Sequence, residues 1–175
     1  ASKEPPVEIA AGNRVWIAAS TMPPAFDGDV DEDDAVIEAF AALRRRHPNL
    51  LLILAPRKPE RFDAAAEKLR RAGLPFTRRS ALEGATAPVL LLDSIGELSS
   101  LFGRADVVFM GGSLAARGGH NILEPALFGR PIVVGPHLEN FRAIAEDFLA
   151  AGAMVEIRSA AELAPAVERL LEDDA

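Results

Sequence analysis

The 175-residue sequence predicts an α/β domain built on a doubly wound, mostly parallel sheet. Three observations predict it. Short, nearly unbroken apolar runs recur along the chain, and longer segments with apolar residues three and four apart separate them. No internal repeat or second domain boundary interrupts the alternation. Apolar runs without polar alternation fit strands covered on both faces of a sheet. Their regular succession with helices implies right-handed crossovers between parallel strands.

The opening residues 1–13, ASKEPPVEIAAGN, read as a polar, proline-bearing lead-in, more like a linker from a longer protein than a native N-terminus. The domain is expected over 14–175. Strands are predicted at Arg14–Ser20, Leu50–Pro56, Ala87–Asp93, Ala105–Gly111 and Pro131–Gly135, with weaker ones at Leu74–Arg79 and Ala153–Arg158. The first helix, Asp31–His47, carries Val36, Ile37, Phe40 and Leu43 on one stripe, acids at its start and three arginines near its end. That charge order complements the helix dipole, so the acidic run reads as structural rather than as a metal site. Further helices are expected at Pro59–Ala72, Gly96–Gly103, Asn121–Phe128, Asn140–Ala151 and Ala160–Glu172.

Composition excludes several classes. A net charge of -7 argues against a nucleic-acid-binding surface, which needs a cationic face. There is no cysteine, which removes disulfides and thiolate metal sites. No apolar run approaches the roughly 20 residues of a membrane span, and no signal peptide is visible. A soluble domain is expected.

In a doubly wound sheet, ligands bind beyond the carboxyl ends of the strands. Four such ends carry polar residues. After the first strand, Ser20 and Thr21 admit two readings, hydroxyl donors to a ligand or caps of the turn. The acidic loop that follows is expected to be mobile and carries no legible chemistry. After the second strand, Pro56 closes the run and Arg57 emerges beside Lys58, suited to a phosphate or carboxylate or simply solvated. Ser94, Ile95, Gly96 and Glu97 lead into a short helix whose free N–H groups suit an anion or a base edge, unless Asp93 or Ser94 caps it.

The richest stretch is FMGGSLAARGGHNILEPALFGRPIVVGP, Phe109–Pro136. The glycines of MGGS, Gly111 and Gly112 ahead of Ser113, let the backbone approach a ligand closely, and Gly118–Gly119 turn the chain toward a helix start near Asn121. Bare N–H groups there form a phosphate cradle. Glu124 is placed to accept from a ribose diol or to compensate the dipole, and His120 reads either as a ligand contact or as a core-edge histidine. The combination fits a nucleotide-sugar site. It does not fit a dinucleotide site, because STMPP rather than G-x-G-x-x-G follows the first strand. No clustered metal-ligand set appears.

The segments WIAAST, LLLILAPRKPERF, DSIGEL and GGSLAARGGHNILEPALFGRPIVVGPHLENFRAIA resemble the C-terminal half of the 3-deoxy-D-manno-octulosonic acid (Kdo) transferases, over about Arg14 to Leu171. The resemblance implies a Rossmann-like half of a GT-B glycosyltransferase. It implies donor contacts at Pro56 and Arg57, at Ile95, Gly96 and Glu97, and at Asn121, Ile122, Leu123 and Glu124, with Arg57 at the donor phosphate and Glu124 at the ribose. Ser113, Gly112, Arg117 and His120 match the motif, and Asn140 lies in a further matching segment. Ser20 and Lys58 are possible additions. Two positions depart: the family's histidines after Ser-Thr and after Pro-Arg are here Met22 and Lys58, the lysine keeping a positive charge.

What the family does is then the expectation for the parent protein. CMP-Kdo is the donor and the lipid A precursor of lipopolysaccharide the acceptor. The catalytic base, acceptor site and membrane anchor belong to an N-terminal domain with no counterpart here, on the cytoplasmic side of the inner membrane. No catalytic residue is expected in this chain, no metal or other cofactor is required, and the isolated chain is expected to be inactive. Two alternatives stay open. One is a UDP-sugar-binding domain of another GT-B enzyme or of a sugar-nucleotide 2-epimerase-like protein, and the other is a regulatory domain that binds no nucleotide.

Overall fold

A computed structural model describes residues 12–81, 87–94, 96–120, 122, 125–126 and 128–173. Seven strands form one sheet: β1 (Arg14–Thr21), β2 (Leu50–Pro56), β3 (Phe76–Arg78), β4 (Val89–Leu91), β5 (Val107–Met110), β6 (Ile132–Val134) and β7 (Met154–Glu156). Their spatial order is β3-β4-β2-β1-β5-β6-β7, and every pairing is parallel. Four α-helices are described: α1 (Glu32–Arg44), α2 (Phe62–Arg71), α3 (Arg142–Ala150) and α4 (Leu163–Asp173).

The central strands are apolar throughout because both of their faces are covered. Alternate residues point to opposite faces. Trp16, Leu52, Leu54 and Phe109 join Phe40 and Leu43 of α1, Leu69 of α2 and Val167 of α4 in one layer. Ile17, Ile53 and Val108 turn the other way, onto Leu101, Phe102, Ile122 and Ala145 of α3. The helix stripe read from the sequence, Val36, Ile37, Phe40 and Leu43, is buried as a unit.

The predicted helices are shorter than their periodicity suggested. α1 begins at Glu32 because Asp31 is its N-cap, accepting from the N–H groups of Asp33 and Asp34. Three of the others open with a single 3-10 turn, at Pro59–Arg61, Glu139–Phe141 and Ala160–Glu162, before the α-helix proper. The short helix expected at 96–103 is a 3-10 helix over Leu98–Arg104. Of the helix expected at 121–128, Ile122, Pro125, Ala126 and Phe128 are described. The Ala126 N–H donates to the Ile122 carbonyl, as in a helical turn.

Strand order reverses between β1 and β5, which is where a doubly wound sheet opens a crevice. Here the two carboxyl ends are pressed together. The pairing of β1 with β2 slips between Ala19 and Thr21, and Ser20 at the slip has a φ of 56°. Beside it, a Cβ on Gly111 would lie inside van der Waals contact of the Ser20 carbonyl. Gly111 also donates its N–H to the Ala19 carbonyl at 2.7 Å. Gly111→Ala is therefore expected to cost about 3 kcal/mol or more, through backbone displacement at the crevice. Gly152→Ala, at a positive φ in open space, is expected to cost only about 1 kcal/mol of strain. Urea unfolding of the two variants checks the difference.

Candidate functional site

Most of the predicted residues that are described collect at the carboxyl edge of the sheet, and they divide into two kinds. Some face open space, and others are consumed in holding loops.

The first kind surrounds a cavity of about 200 Å³ beyond β2 and β4, lined in part by Ser20, Pro56, Arg57, Phe62, Ser94 and Gly96. Pro56 ends β2 and is itself buried. The Arg57 N–H donates to the Thr21 carbonyl at 2.9 Å, which fixes the backbone. Its side chain is exposed and, among the described residues, makes no hydrogen bond or ion pair. Lys58 follows, half-buried, with its carbonyl accepting from Arg61 at 2.9 Å. Gly96 has a φ of 86° and lies exposed at the cavity rim. Ser94 contributes a signal the sequence left ambiguous. Its Oγ is buried and has no partner among the described residues, so it caps none of them, and Asp93 is occupied by Arg78 and Ser80. An unpartnered hydroxyl in a cavity wall is a ligand-ready donor.

Glu97 is half-committed: its carboxylate accepts from Arg79 Nε at 3.1 Å. Ile122 is 1% exposed and sits in the core, so its side chain is packing rather than a donor contact. Ile95, Asn121, Leu123 and Glu124 lie outside the described residues.

His120 is the most informative member. Its Nε2 is buried and has no partner among the described residues, 2.9 Å from where a Cβ on Gly112 would stand. Burial, with the Arg57 charge adding to it, holds its pKa below the ordinary histidine value, so the ring is neutral at pH 7. A histidine nitrogen without a partner among the described residues, in the field of the Arg57 charge, suits an anion.

The second kind is the loop after β5. Ser113 is fully buried; its Oγ donates to the Met110 carbonyl and accepts from Gly135 N–H at 2.9 Å. Ser113 therefore ties the end of β5 to the end of β6. Arg117 reaches back, donating to the carbonyls of Pro23 at 3.2 Å and Pro24 at 2.7 Å. Asn140 Nδ2 donates to the Gly119 carbonyl at 3.2 Å and packs against Gly118. Gly112 and Gly118, both with φ above +70°, make room for these protein side chains.

The acidic loop after β1, expected to be mobile and uninformative, is instead tightly held. Glu32, 0% exposed, accepts four backbone N–H bonds. Oε1 takes Met22 at 2.8 Å and Gly112 at 2.7 Å; Oε2 takes Leu114 at 3.0 Å and Ala115 at 3.1 Å. Asp33 accepts from the Thr21 hydroxyl at 2.5 Å, and Asp29 accepts from Ala25 at 2.8 Å and Ala116 at 3.0 Å. Burial pushes the Glu32 carboxyl up to about 7, against the pull of its four donors, and Asp33 up to about 6. The dipole pattern masked these roles, because an acid in a first helical turn looks complete without a further partner.

The remaining titratable group of note lies at the other edge of the sheet. His47, Glu168 and Glu172 come within 4.8 Å of one another, with Arg46 already 3.1 Å from Glu168. It is remote from the cavity. Among the described residues no helix is long and apolar enough to cross a membrane.

Comparison with known proteins bears on this geometry. Residues 33–175 match the family model of the glycosyl transferases group 1. The chain is 42% identical over 160 residues to a 3-deoxy-D-manno-octulosonic acid transferase of Haemophilus influenzae, covering 90% of this chain and 36% of that protein. It is 42% identical over 157 residues to the like-named protein of Bordetella pertussis, covering 85% of this chain and 36% of that one. The chain thus spans little more than a third of the length of these curated relatives. The crystal structure of the C-terminal CMP-Kdo binding domain of WaaA from Acinetobacter baumannii superposes with a TM-score of 0.80. That similarity runs at 35% identity over 93% of this chain and 80% of that one.

The low His120 pKa has a sign that can be tested. The unfolded chain binds this proton near pH 6.5 and the folded chain only below that. The unfolded state therefore holds more protons in between, and the His120 contribution to stability, intact above 6.5, is lost as pH falls through that window. The stability difference between wild type and His120→Asn is expected to shrink on acidification from pH 7, measured by urea unfolding at each pH.

Proposed function

The chain belongs to the group 1 glycosyl transferases and, within them, to the family of the Kdo transferases, and from that membership we propose that it is the donor-binding domain of such an enzyme, with CMP-Kdo as ligand. What carries this reading is the cavity at the carboxyl edge, lined by Arg57 and by the Ser94 hydroxyl, neither of which has a side-chain partner among the described residues; the His120 ring lies outside that lining but within the field of the Arg57 charge.

Each group has a task in that reading. Arg57 and His120 receive the donor phosphate: the guanidinium as a fixed cation, the imidazole as a neutral N–H donor that gains charge when an anion arrives. The turn at Ile95, Gly96 and Glu97 receives the base, and the segment Asn121–Glu124 the ribose, with Glu124 accepting from its hydroxyls. Ser20 and Ser94 line the same hollow.

The reaction of the whole enzyme is a direct displacement. An acceptor hydroxyl on the lipid A precursor loses its proton to a base in an N-terminal domain and attacks the anomeric carbon of Kdo. The glycosidic bond to the CMP phosphate breaks as the new one forms. This domain holds the departing phosphate in place, and Arg57 offsets its developing charge. That scheme needs no metal. It places the work on the cytoplasmic side of the inner membrane and leaves this chain alone without turnover.

Titration of the chain with CMP, UMP and UDP by calorimetry tests the reading. CMP is expected to bind best, and Arg57→Ala to weaken it roughly ten- to a hundredfold, the loss of one charge-assisted bond. Glu124→Ala is expected to weaken CMP as well. Preference for UDP, or CMP binding indifferent to Arg57→Ala, would overturn it.

A further inference from the structure

Glu32 does something the donor-site reading does not require. Backbone N–H groups at 112, 114 and 115 converge as they would around a bound anion, and the anion they hold is the protein's own carboxylate. All four donors are backbone, from two loops: Met22 after β1, and Gly112, Leu114 and Ala115 after β5. No acceptor faces the carboxylate among these contacts, so the bond pattern accommodates the anion. The glycine-bearing loop is thus already filled, and a ligand phosphate must be received elsewhere.

The consequence runs outward through one residue. Gly112 gives its N–H to Glu32 and, at a φ of 73°, turns its empty Cβ position to His120 Nε2, 2.9 Å away. Its carbonyl accepts from Gly119 N–H at 2.8 Å, which fixes the backbone just before the histidine. Removing the carboxylate frees Gly112, and with it both constraints on the imidazole.

We propose that Glu32 is a positioning residue for the donor site: an internal anion that fills the loop after β5, sets Gly112, and through Gly112 fixes the place of the His120 ring. The ligand part of this inference rests on the donor-binding reading above. Its structural part does not.

The test compares three variants of the 175-residue chain at pH 8, where the Glu32 anion prevails. Glu32→Gln keeps the shape but turns an NH2 donor toward two backbone N–H donors. Val167→Ala, fully buried in α4, lowers stability at a side chain that takes no part in the hydrogen bonds of these loops. Gly112→Ala reaches His120 from the other side of the same contact. For each, His120 ring resonances are recorded by NMR and CMP affinity by calorimetry.

Glu32→Gln and Gly112→Ala are expected to move the His120 resonances and to weaken CMP roughly ten- to a hundredfold, as misplacement of a binding group does. Val167→Ala is expected to leave both unchanged. A folded Glu32→Gln chain with His120 resonances and CMP affinity like those of Val167→Ala would overturn the proposal. If wild type fails to bind CMP, the donor reading falls, and the His120 resonances alone decide the role of Glu32. If Glu32→Gln fails to fold, Gly112→Ala decides in its place: unmoved His120 resonances would sink the proposal.

Discussion

A carboxylate taken out of water must have its lone pairs filled, and Glu32 has them filled by four backbone N–H groups from loops that follow β1 and β5. Those strands flank the point where strand order reverses. Their loops would otherwise leave several buried N–H groups without partners, at a cost of about 1–3 kcal/mol each. One side chain at the start of α1 resolves that problem for both loops. Asp31, at the N-cap of the same helix, pairs with Arg61 and Lys68 at 2.9 Å, while Asp33 holds the Thr21 hydroxyl. Four consecutive positions, counting Asp34 on Lys68, therefore bind α1 to the elements that carry the site.

From that constraint the remaining geometry follows. With the β1 and β5 loops locked, Gly111 rests against the Ser20 carbonyl, Ser113 joins β5 to β6, and Arg117 ties the far end of the glycine stretch to Pro23 and Pro24. Among the described residues, Arg57, Ser94 and His120 are polar groups that this scaffolding leaves without a side-chain partner, and Arg57 and Ser94 line the open cavity. A site assembled this way separates residues that hold shape from residues that meet ligand, although both kinds sit in one motif.

The sequence showed the sheet clearly and the site only in part. Strands such as LLLILAP and ADVVFMG are legible because burial on both faces removes polar alternation, and nothing else produces that pattern at that length. Helix starts were placed two or three residues early, because a 3-10 turn continues the apolar spacing closely enough to pass for α-helix. Arg57 stood out by its place after a strand but could equally have been solvated, and His120 was left open between a ligand contact and a core-edge residue. Ser113, Arg117 and Asn140 were recognised by motif, but a motif does not say whether a hydroxyl faces a ligand or a neighbouring carbonyl. Glu32 was the residue hidden most deeply. Within DEDD every acid has a sufficient local reason, and only the fold brings three N–H groups from about eighty residues further along the chain to one of them.

A crystal structure of this chain with CMP is the most direct measurement. The expected result places the phosphate within hydrogen-bonding distance of the Arg57 guanidinium and the His120 ring, with Glu32 still accepting from Gly112, Leu114 and Ala115. A phosphate seated on those three N–H groups, with the Glu32 carboxylate displaced, would contradict the division of the motif into a filled loop and an open site.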